Sequence, residues 1–212
     1  MIDHCEYLIA GDDTTEFADS CLLTGTSQCS GYANALSLAL RHFGIKCNVA
    51  FSSEHAWNMV NINDQWYNCD VTWDDPGDAL NDIPSDSQQD NYFAWMNIPD
   101  RLFCEDPDHK AEIEPGFPLP EAISMEDSYV MRKGTYFPTG IRDIAASITN
   151  TLMQADLNSK THVLIMLDDQ KYIDQWDTIY SDLLNKYRSI YGWSIYPPEK
   201  SHRCIYLVKG GS

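Results

Sequence analysis

The chain has 212 residues, 43% of them hydrophobic, which is enough for one sizeable core and a smaller appended unit. Its 14 basic and 32 acidic side chains give a formal net charge of −18, and such a field repels phosphate backbones, so no nucleic-acid partner is expected. The longest apolar run, Val163 to Leu167, is far shorter than the ~18 residues of a membrane span, and acidic groups stand where a signal peptide would carry basic ones. The compartment, either cytoplasm or that of an excised domain of a secreted protein, and the oligomeric state stay open.

The cysteines are odd in number, widely spaced and without a C-x-x-C pair. This distribution argues against a disulfide scaffold and against a paired zinc ribbon. We therefore expect most of them to be buried free thiols and one to be special. They are Cys5, Cys21, Cys29, Cys47, Cys69, Cys104 and Cys204.

The first predicted elements are a helix and an antiparallel sheet. Apolar residues recur at helical spacing from Ser27 to Phe43, leave a narrow polar stripe that includes Ser37, and stop at Gly44, which predicts a mostly buried helix. A strand from Ile45 to Phe51 follows. Two further strands, at 55–62 and 65–73, flank a turn at Asn63-Asp64.

The middle of the chain is rich in proline. Seven of the ten prolines lie between Pro76 and Pro120, mixed with Asp, Asn and Gly, so this stretch is predicted to hold loops and short turns. A domain boundary near residue 125 follows. Residues 1–125 would then form a catalytic core, and residues 126–212 a smaller unit of unknown role.

The last part of the chain predicts a β-α-β-α-β unit. Its strands are expected at Tyr129 to Met131, His162 to Leu167 and Cys204 to Val208. Between them, apolar residues at helical spacing predict two amphipathic helices, from Ile141 to Leu152 and from Tyr172 to Tyr187. No nucleotide-binding glycine motif is present, so we expect a structural or interaction-making unit.

Cys29 is the cysteine that geometry selects. It lies in the first turn of the first predicted helix, where unpaired N–H groups and the helix dipole favour a thiolate. A dipole contribution of about 1 kcal/mol lowers a thiol pKa by only roughly 0.7, so a basic neighbour is also needed. Histidine can serve as that neighbour and as the proton carrier.

His55 and Asp70 are the two residues that hairpin geometry brings together. A two- or four-residue loop centred on Asn63-Asp64 pairs Trp57 with Asp70 and makes His55 and Asp70 diagonal neighbours on one face of the sheet. A slip by one residue would place them on opposite faces. We expect the even loop, with Asp70 holding the His55 tautomer and the other ring nitrogen facing Cys29.

The motifs around these residues resemble a known family. Their order and spacing over residues 27–76 are similar to those of bacterial transglutaminase-like domains, and weaker similarity continues through Tyr92-Phe93 and Asp108-His109. The resemblance implies Cys29 as nucleophile, His55 as general base and acid, Asp70 as its orienter, and an α+β, papain-like core in which the helix bearing Cys29 packs on an antiparallel sheet. The motifs are Ser27-Gln28-Cys29-Ser30-Gly31-Tyr32-Ala33, Gly44-Ile45, His55-Ala56-Trp57-Asn58 and Trp66-Tyr67-Asn68-Cys69-Asp70-Val71-Thr72-Trp73-Asp74-Asp75-Pro76.

One departure concerns the oxyanion site. No Trp or Gln stands upstream of Cys29 where transglutaminases and papains keep a side-chain donor, and Gln28 is directly adjacent. The backbone N–H of Cys29 is expected as one donor, and the second is unassigned. Gln28, Trp57 and Trp73 are candidates for the substrate cleft.

These observations and the resemblance predict a cysteine-dependent hydrolase or acyl transferase that acts on peptide or glutamine-type amide bonds, and the resemblance implies a protein or peptide substrate. No cofactor is implied, and without a recognisable calcium loop hydrolysis is favoured over transamidation. Two other interpretations are an inactive binding or scaffold module and a zinc site formed by Cys29, His55 and Asp70. His109 is expected at the surface. A solvated loop is expected for Asp74, Asp75 and Asp78.

Overall fold

The computed structural model describes residues 4–8, 13–75, 93–112, 118–186, 192–196 and 203–210. Contacts divide the chain into two compact units, one built from Met1–Asn81 and Trp95–Tyr129 and the other from Asp82–Ala94 and Val130–Ser212. Both units combine helices with a sheet, which confirms the predicted α+β class. No helix in the described part of the chain is both long enough and apolar enough to cross a membrane.

The first unit consists of a helix and a four-stranded antiparallel sheet, with short elements at either side. In chain order the strands and helices are β1 (Glu6–Tyr7), β2 (Thr26–Ser27), α1 (Cys29–His42), β3 (Cys47–Phe51), β4 (Ala56–Ile62), β5 (Gln65–Cys69), β6 (Met96–Ile98) and α2 (Asp100–Phe103). The four-stranded sheet has the order β3-β4-β5-β6. Shorter turns are the 3₁₀ turns Asp13–Glu16 and Pro107–His109 and the π-helical turn Ser20–Thr24.

The β4–β5 hairpin has the predicted even loop. Asn63 and Asp64 have φ angles of 51° and 63°, the left-handed conformation that a two-residue hairpin turn requires. Ile62 pairs with Gln65, and the register continues to Asn58 and Cys69. Strand β5 is shorter than predicted and ends immediately before Asp70, and His55 immediately precedes β4. The two residues therefore lie at the same end of neighbouring antiparallel strands.

Helix α1 packs on this sheet through a small apolar cluster, in which Leu36 and Leu40 contact the strands. A buried hydrogen bond from Asn58 Nδ2 to the carbonyl of Ala33 (2.9 Å) fixes the helix against β4. The predicted polar stripe is partly wrong, since Ser37 is buried while Leu38 is 58% exposed. The sheet residues of the cluster are Cys47, Val60, Cys69, Ile62 and Met96.

The second unit contains a mixed four-stranded sheet of order β7-β8-β10-β9. Strand β7 is parallel to β8, and the remaining pairs are antiparallel. An apolar cluster, centred on side chains such as Ile148, Leu152 and Ile165, fills the space between sheet and helices. The elements of this part of the chain are α3 (Tyr129–Lys133), β7 (Tyr136–Phe137), α4 (Ile144–Leu157), β8 (His162–Leu167), α5 (Gln170–Asp174), α6 (Trp176–Lys186), β9 (Trp193–Tyr196) and β10 (Cys204–Lys209).

Three sequence predictions for this part of the chain need correction. Tyr129 to Met131 was predicted as a strand but belongs to helix α3, because a short apolar run fits either period and Gly134, with φ 71°, ends a helical turn here. The second predicted helix is divided into α5 and α6 at Gln175, and Tyr187 lies outside the described residues. Strands β7 and β9 were not predicted. Strands β8 and β10 confirm the predicted ones.

Candidate active site

Cys29 is the first residue of α1, and a network of buried hydroxyl and backbone groups holds the segment before it. The carbonyl of Thr15 accepts hydrogen bonds from the backbone N–H of Gln28 (3.0 Å) and from Ser27 Oγ (2.8 Å). Gly31 allows this packing, because a Cβ there would lie 2.9 Å from the carbonyl oxygens of Thr15 and Phe17. Cys29 itself stays half-buried, so its thiol is held at the helix start without being sealed in the core.

His55 is held by the loop that joins β3 to β4. Its backbone N–H donates to Ser52 Oγ (3.1 Å), and its carbonyl accepts from the N–H of Ser52 (2.9 Å). The His55 side chain is buried, and its Nε2 lies 2.6 Å from Asp70 Oδ2. Because Nε2 is engaged by Asp70, Nδ1 is the ring nitrogen that remains for Cys29.

Asp70 is a fully buried carboxylate that accepts four hydrogen bonds. Oδ1 accepts from the backbone N–H groups of Thr72 (2.9 Å) and Trp73 (3.1 Å). Oδ2 accepts from the Nε2 atoms of His55 (2.6 Å) and His109 (2.8 Å). Burial alone would raise the pKa of Asp70, but the hydrogen bonds and charges of the two histidines hold it below the ordinary value of 3.8. Asp70 therefore remains an anion inside the protein.

The electrostatics of Cys29 and His55 favour an ion pair. Burial alone would raise the pKa of Cys29, but the hydrogen bond and charge of His55, with backbone N–H groups of Ala56 and Ser30, lower it from 9.0. Burial alone would lower the pKa of His55, but hydrogen bonds and charges of Asp70 and Cys29 raise it from 6.5 to about 10. Both shifts favour the thiolate–imidazolium form of this pair over the neutral form.

The pKa shifts of Cys21, Cys47, Cys69 and Cys104 are opposite in direction to that of Cys29. Cys104 is the other half-buried cysteine, and burial together with the charge of Asp100 raises its pKa. Burial raises the pKa of Cys21 and of Cys69 to about 12. The prediction of buried free thiols is confirmed for five of the cysteines, Cys5, Cys21, Cys47, Cys69 and Cys204.

His109 was predicted at the surface, and this prediction is wrong. Its side chain is 0% exposed, and its Nε2 donates to Asp70 Oδ2, whereas the backbone N–H groups donate to Oδ1. It ends the 3₁₀ turn Pro107–His109, which Asp106 caps by accepting the N–H of Asp108 (2.9 Å). The charged residues next to His109 in the sequence suggest a surface position. The histidine is nevertheless buried, because the buried carboxylate of Asp70 is its hydrogen-bond partner. The weak resemblance at Asp108-His109 was the one sequence signal for it.

Three titratable side chains, His55, Asp70 and His109, have ligand atoms within 4.8 Å of one another, a spacing that also occurs in metal sites. Two ligands of a tetrahedral zinc ion lie about 3.3 Å apart, given zinc–nitrogen distances of ~2.0–2.1 Å. The contacts of 2.6 and 2.8 Å between the histidine nitrogens and Asp70 are shorter and are those of direct charge-assisted hydrogen bonds. The arrangement fits a hydrogen-bond network better than a coordination sphere.

The three predicted cleft residues lie at different depths. Trp57 is only 2% exposed, and its Nε1 donates to Asn68 Oδ1 (3.1 Å), so it contacts the site from within the core. Trp73 and Gln28 are half-buried, and the Gln28 amide oxygen accepts from the Thr15 hydroxyl (2.9 Å). Of the predicted residues, Trp73 and Gln28 are therefore the ones exposed enough to meet a substrate.

Asp74 and Asp75 have structural partners rather than a solvated loop, which corrects that prediction. Asp74 is buried, and its Oδ1 accepts the backbone N–H of Trp95 (2.9 Å). Asp75 Oδ2 accepts a hydrogen bond from the hydroxyl of Tyr32, and the same hydroxyl contacts the carbonyl oxygen of Cys5. Asp78 lies outside the described residues.

Tyr7 is a further residue near the site that the sequence did not indicate. Strand β1 pairs with β2 in parallel, which sets Tyr7 opposite Ser27, two residues before Cys29. Its side chain is 40% exposed. Burial, with the negative charges of Cys29 and Asp70, raises the pKa of its phenol, so the hydroxyl keeps its proton as a donor.

Comparison with known families agrees with this architecture. The first unit has a helix that begins at Cys29 and packs on an antiparallel sheet, with His55 and Asp70 directly beside the ends of two strands. Residues 2–71 match the model of the transglutaminase-like superfamily, so this part of the chain is a transglutaminase-like domain. The matched range includes Cys29, His55 and Asp70 and ends before His109. No curated protein matches the chain.

Proposed function

We propose that the protein is a cysteine-dependent enzyme that cleaves peptide or glutamine-type amide bonds through a thioester on Cys29. The observation that carries this proposal is the buried hydrogen bond between His55 Nε2 and Asp70 Oδ2 (2.6 Å), and the pKa of Cys29, lowered by His55 against the effect of burial, supports it. A thiolate nucleophile, a proton carrier and a carboxylate that fixes its tautomer are the parts that nucleophilic acyl transfer needs. The superfamily contains both cysteine peptidases and transglutaminases, which supports this chemistry at the level of class.

The reaction begins with the ion pair. The Cys29 thiolate attacks the carbonyl carbon of the amide, and the electron pair of the carbonyl moves to oxygen. The backbone N–H of Cys29, at the free start of α1, donates to this oxyanion. The phenol of Tyr7 is our candidate for the second donor.

Collapse of the intermediate breaks the carbon–nitrogen bond. The His55 imidazolium gives its Nδ1 proton to the departing amine, which leaves neutral His55 beside a thioester on Cys29. His55 then takes a proton from an incoming water, the carbon–sulfur bond breaks, and the acid product leaves with the ion pair restored. Asp70 keeps the Nε2–H of His55 in place through both steps.

Water is the proposed acceptor. Transamidation would need an amine in the same position, and a calcium-regulated transglutaminase would need free carboxylates near the cleft. Asp74 and Asp75, which follow Asp70 in the sequence, are both engaged in structural hydrogen bonds. This engagement favours hydrolysis without a bound cation.

Acyl capture tests the proposal directly. The protein is incubated with peptide libraries and a labelled primary amine, and mass spectrometry identifies what becomes attached to Cys29 and what is released. The Cys29→Ala variant should form no thioester and no product. Cys104→Ala is the matched control, because it removes the other half-buried thiol and should leave turnover unchanged.

Each outcome has a separate meaning. Acid products alone support hydrolysis, and amine adducts support transamidation. An inert Cys29 in a folded protein supports the scaffold interpretation, and bound zinc that disappears in the His55→Ala variant supports the metal site. Wild-type turnover by Cys29→Ala would overturn the assignment of the nucleophile.

A further inference from the structure

Asp70 receives more hydrogen bonds than the proposed reaction requires. Its Oδ1 is held by two backbone N–H groups and its Oδ2 by two imidazoles. The reaction uses only the His55 contact. The contact with His109 is as buried as that with His55, and it comes from a residue 39 positions further along the chain.

The carboxylate determines the tautomer of both rings. An ionised carboxylate only accepts hydrogen bonds, so both Nε2 atoms that contact Oδ2 must carry a proton. Each ring therefore presents an Nε2–H to the same carboxylate oxygen, Oδ2 of Asp70.

The surroundings of His109 hold its ring in one orientation. Four aromatic rings lie with centroids 3.9 to 5.6 Å from its own, those of Phe103, Trp73, Trp95 and Trp57. Among the described residues no hydrogen-bond partner contacts its buried Nδ1. A buried nitrogen without a partner costs free energy, and an apolar ring would fill this aromatic box without that cost. The contact with Asp70 is therefore the polar interaction that explains a histidine here.

We propose that His109 is a positioning residue that fixes the Asp70 carboxylate, so that the Nε2–H of His55 stays aligned and its Nδ1 stays directed at Cys29. This inference rests on the proposed function and deepens it. The site then has four linked side chains, Cys29, His55, Asp70 and His109, and the last of them acts without touching substrate.

Two substitutions separate positioning from packing. His109→Phe keeps an aromatic ring in the box but removes the donor, while His109→Gln keeps an N–H donor at similar reach and packs less well. If His109 only fills space, Phe is the better replacement. If it positions Asp70, Gln is the better one. His42→Phe, at the exposed end of α1, is the matched control for the same change.

The first measurement is the rate of acylation of Cys29 under single-turnover conditions. His109→Phe should lower it about 10- to 100-fold, as expected for the loss of a hydrogen bond to a charged group. His109→Gln should recover most of the loss, and His42→Phe should leave the rate unchanged. Wild-type acylation by His109→Phe, or a lower rate for Gln than for Phe, would overturn the proposal.

The second measurement is independent of turnover. In protein labelled with ¹⁵N-histidine, NMR should show two deshielded Nε2–H protons, and His109→Phe should remove one and shift that of His55. His109→Gln should return the His55 signal toward its original position. If Cys29→Ala turns over substrate at the wild-type rate, the proposed function fails while these signals still test the His109 contact. An unshifted His55 signal in His109→Phe would refute the positioning role alone.

Discussion

The two compact units bury different kinds of side chain. Among the described residues, every buried polar or charged side chain except Thr135 and Thr149 lies in the first unit. The second unit has a large cluster of apolar residues instead. Because a buried charge reduces stability unless it is paired, the buried cluster of His55, Asp70 and His109 indicates a site rather than a core. The described interior of the second unit consists mainly of packed apolar side chains.

The largest expected effect of a single substitution is at the centre of the polar region. Asp70→Asn should lower turnover about 10³- to 10⁴-fold, because an amide cannot serve as a charged acceptor for both imidazoles and favours the wrong tautomer of His55. Single-turnover kinetics, with circular dichroism to verify the fold, provides the measurement. A folded variant with activity within about tenfold of the wild type would contradict the role of Asp70.

The same variant should change how stability depends on pH. The pKa of His55 rises on folding from 6.5 to about 10, so its contribution is complete below pH 6.5 and is lost as the pH rises toward 10. The lowered pKa values of Cys29 and Asp70 act in the other direction, and their contributions are lost as the pH falls through the folded-state values. The wild type and Asp70→Asn differ in their free energy of unfolding, and the pH-dependent part of that difference should therefore shrink toward pH 10. Denaturant unfolding at several pH values measures it. A difference that grows toward pH 10 would contradict this account of His55.

In the apolar core of the second unit, a substitution should have a large effect on the free energy of unfolding. Leu152 is 0% exposed in the core of the second unit, so Leu152→Ala should lower the free energy of unfolding by about 2–5 kcal/mol. Thermal and denaturant unfolding measure this loss. A change below about 1 kcal/mol would show that the core of this unit is looser than its burial indicates.

A smaller loss of stability is expected at Gly31, where the segment before Cys29 packs closely against α1. A Cβ at Gly31 would lie 1.9 Å from Ser27 Oγ and 2.9 Å from two backbone carbonyl oxygens, so Gly31→Ala must displace the segment before Cys29. We expect about 1–3 kcal/mol of destabilisation. The accompanying readout is alkylation of Cys29, which should slow. If stability and alkylation both stay at wild-type levels, the packing around the helix start is not needed.

The smallest effect should come from a polar group of the second unit. Thr149 donates only to the carbonyl of Ala145 one turn earlier in α4, a group that the helix already satisfies. Thr149→Val should change the free energy of unfolding by no more than about 0.5 kcal/mol. Denaturant unfolding tests this value. A loss comparable to that of Leu152→Ala would remove the contrast between the two units.

Much of the site could be predicted from sequence because it depends on local geometry. The turn at Asn63-Asp64 fixes the hairpin register, and that register brings His55 and Asp70 to the same end of two strands. Helical periodicity predicts a helix from Ser27 that has Cys29 in its first turn, and α1 begins two residues later, at Cys29. Both arguments use short-range rules that hold before the chain is folded.

The parts that could not be predicted depend on tertiary contacts. His109 lies in a proline-rich, charged stretch, and its burial follows from Asp70, which is distant in sequence. Tyr129 to Met131 is too short a run for its period to distinguish helix from strand, and the glycine turn after it decides the outcome. Tyr7 reaches the site only because β1 pairs with β2.

Alkylation of the two half-buried cysteines tests the central claim most directly. Cys29 and Cys104 are similarly accessible, but the pKa of Cys29 is lowered, chiefly by His55 against the effect of burial, and that of Cys104 is raised by burial and Asp100. At mildly acidic pH, iodoacetamide should label Cys29 much faster than Cys104, and His55→Ala should abolish the difference. Equal labelling of the two thiols in the wild-type protein, or a Cys29 rate that His55→Ala leaves unchanged, would contradict the account.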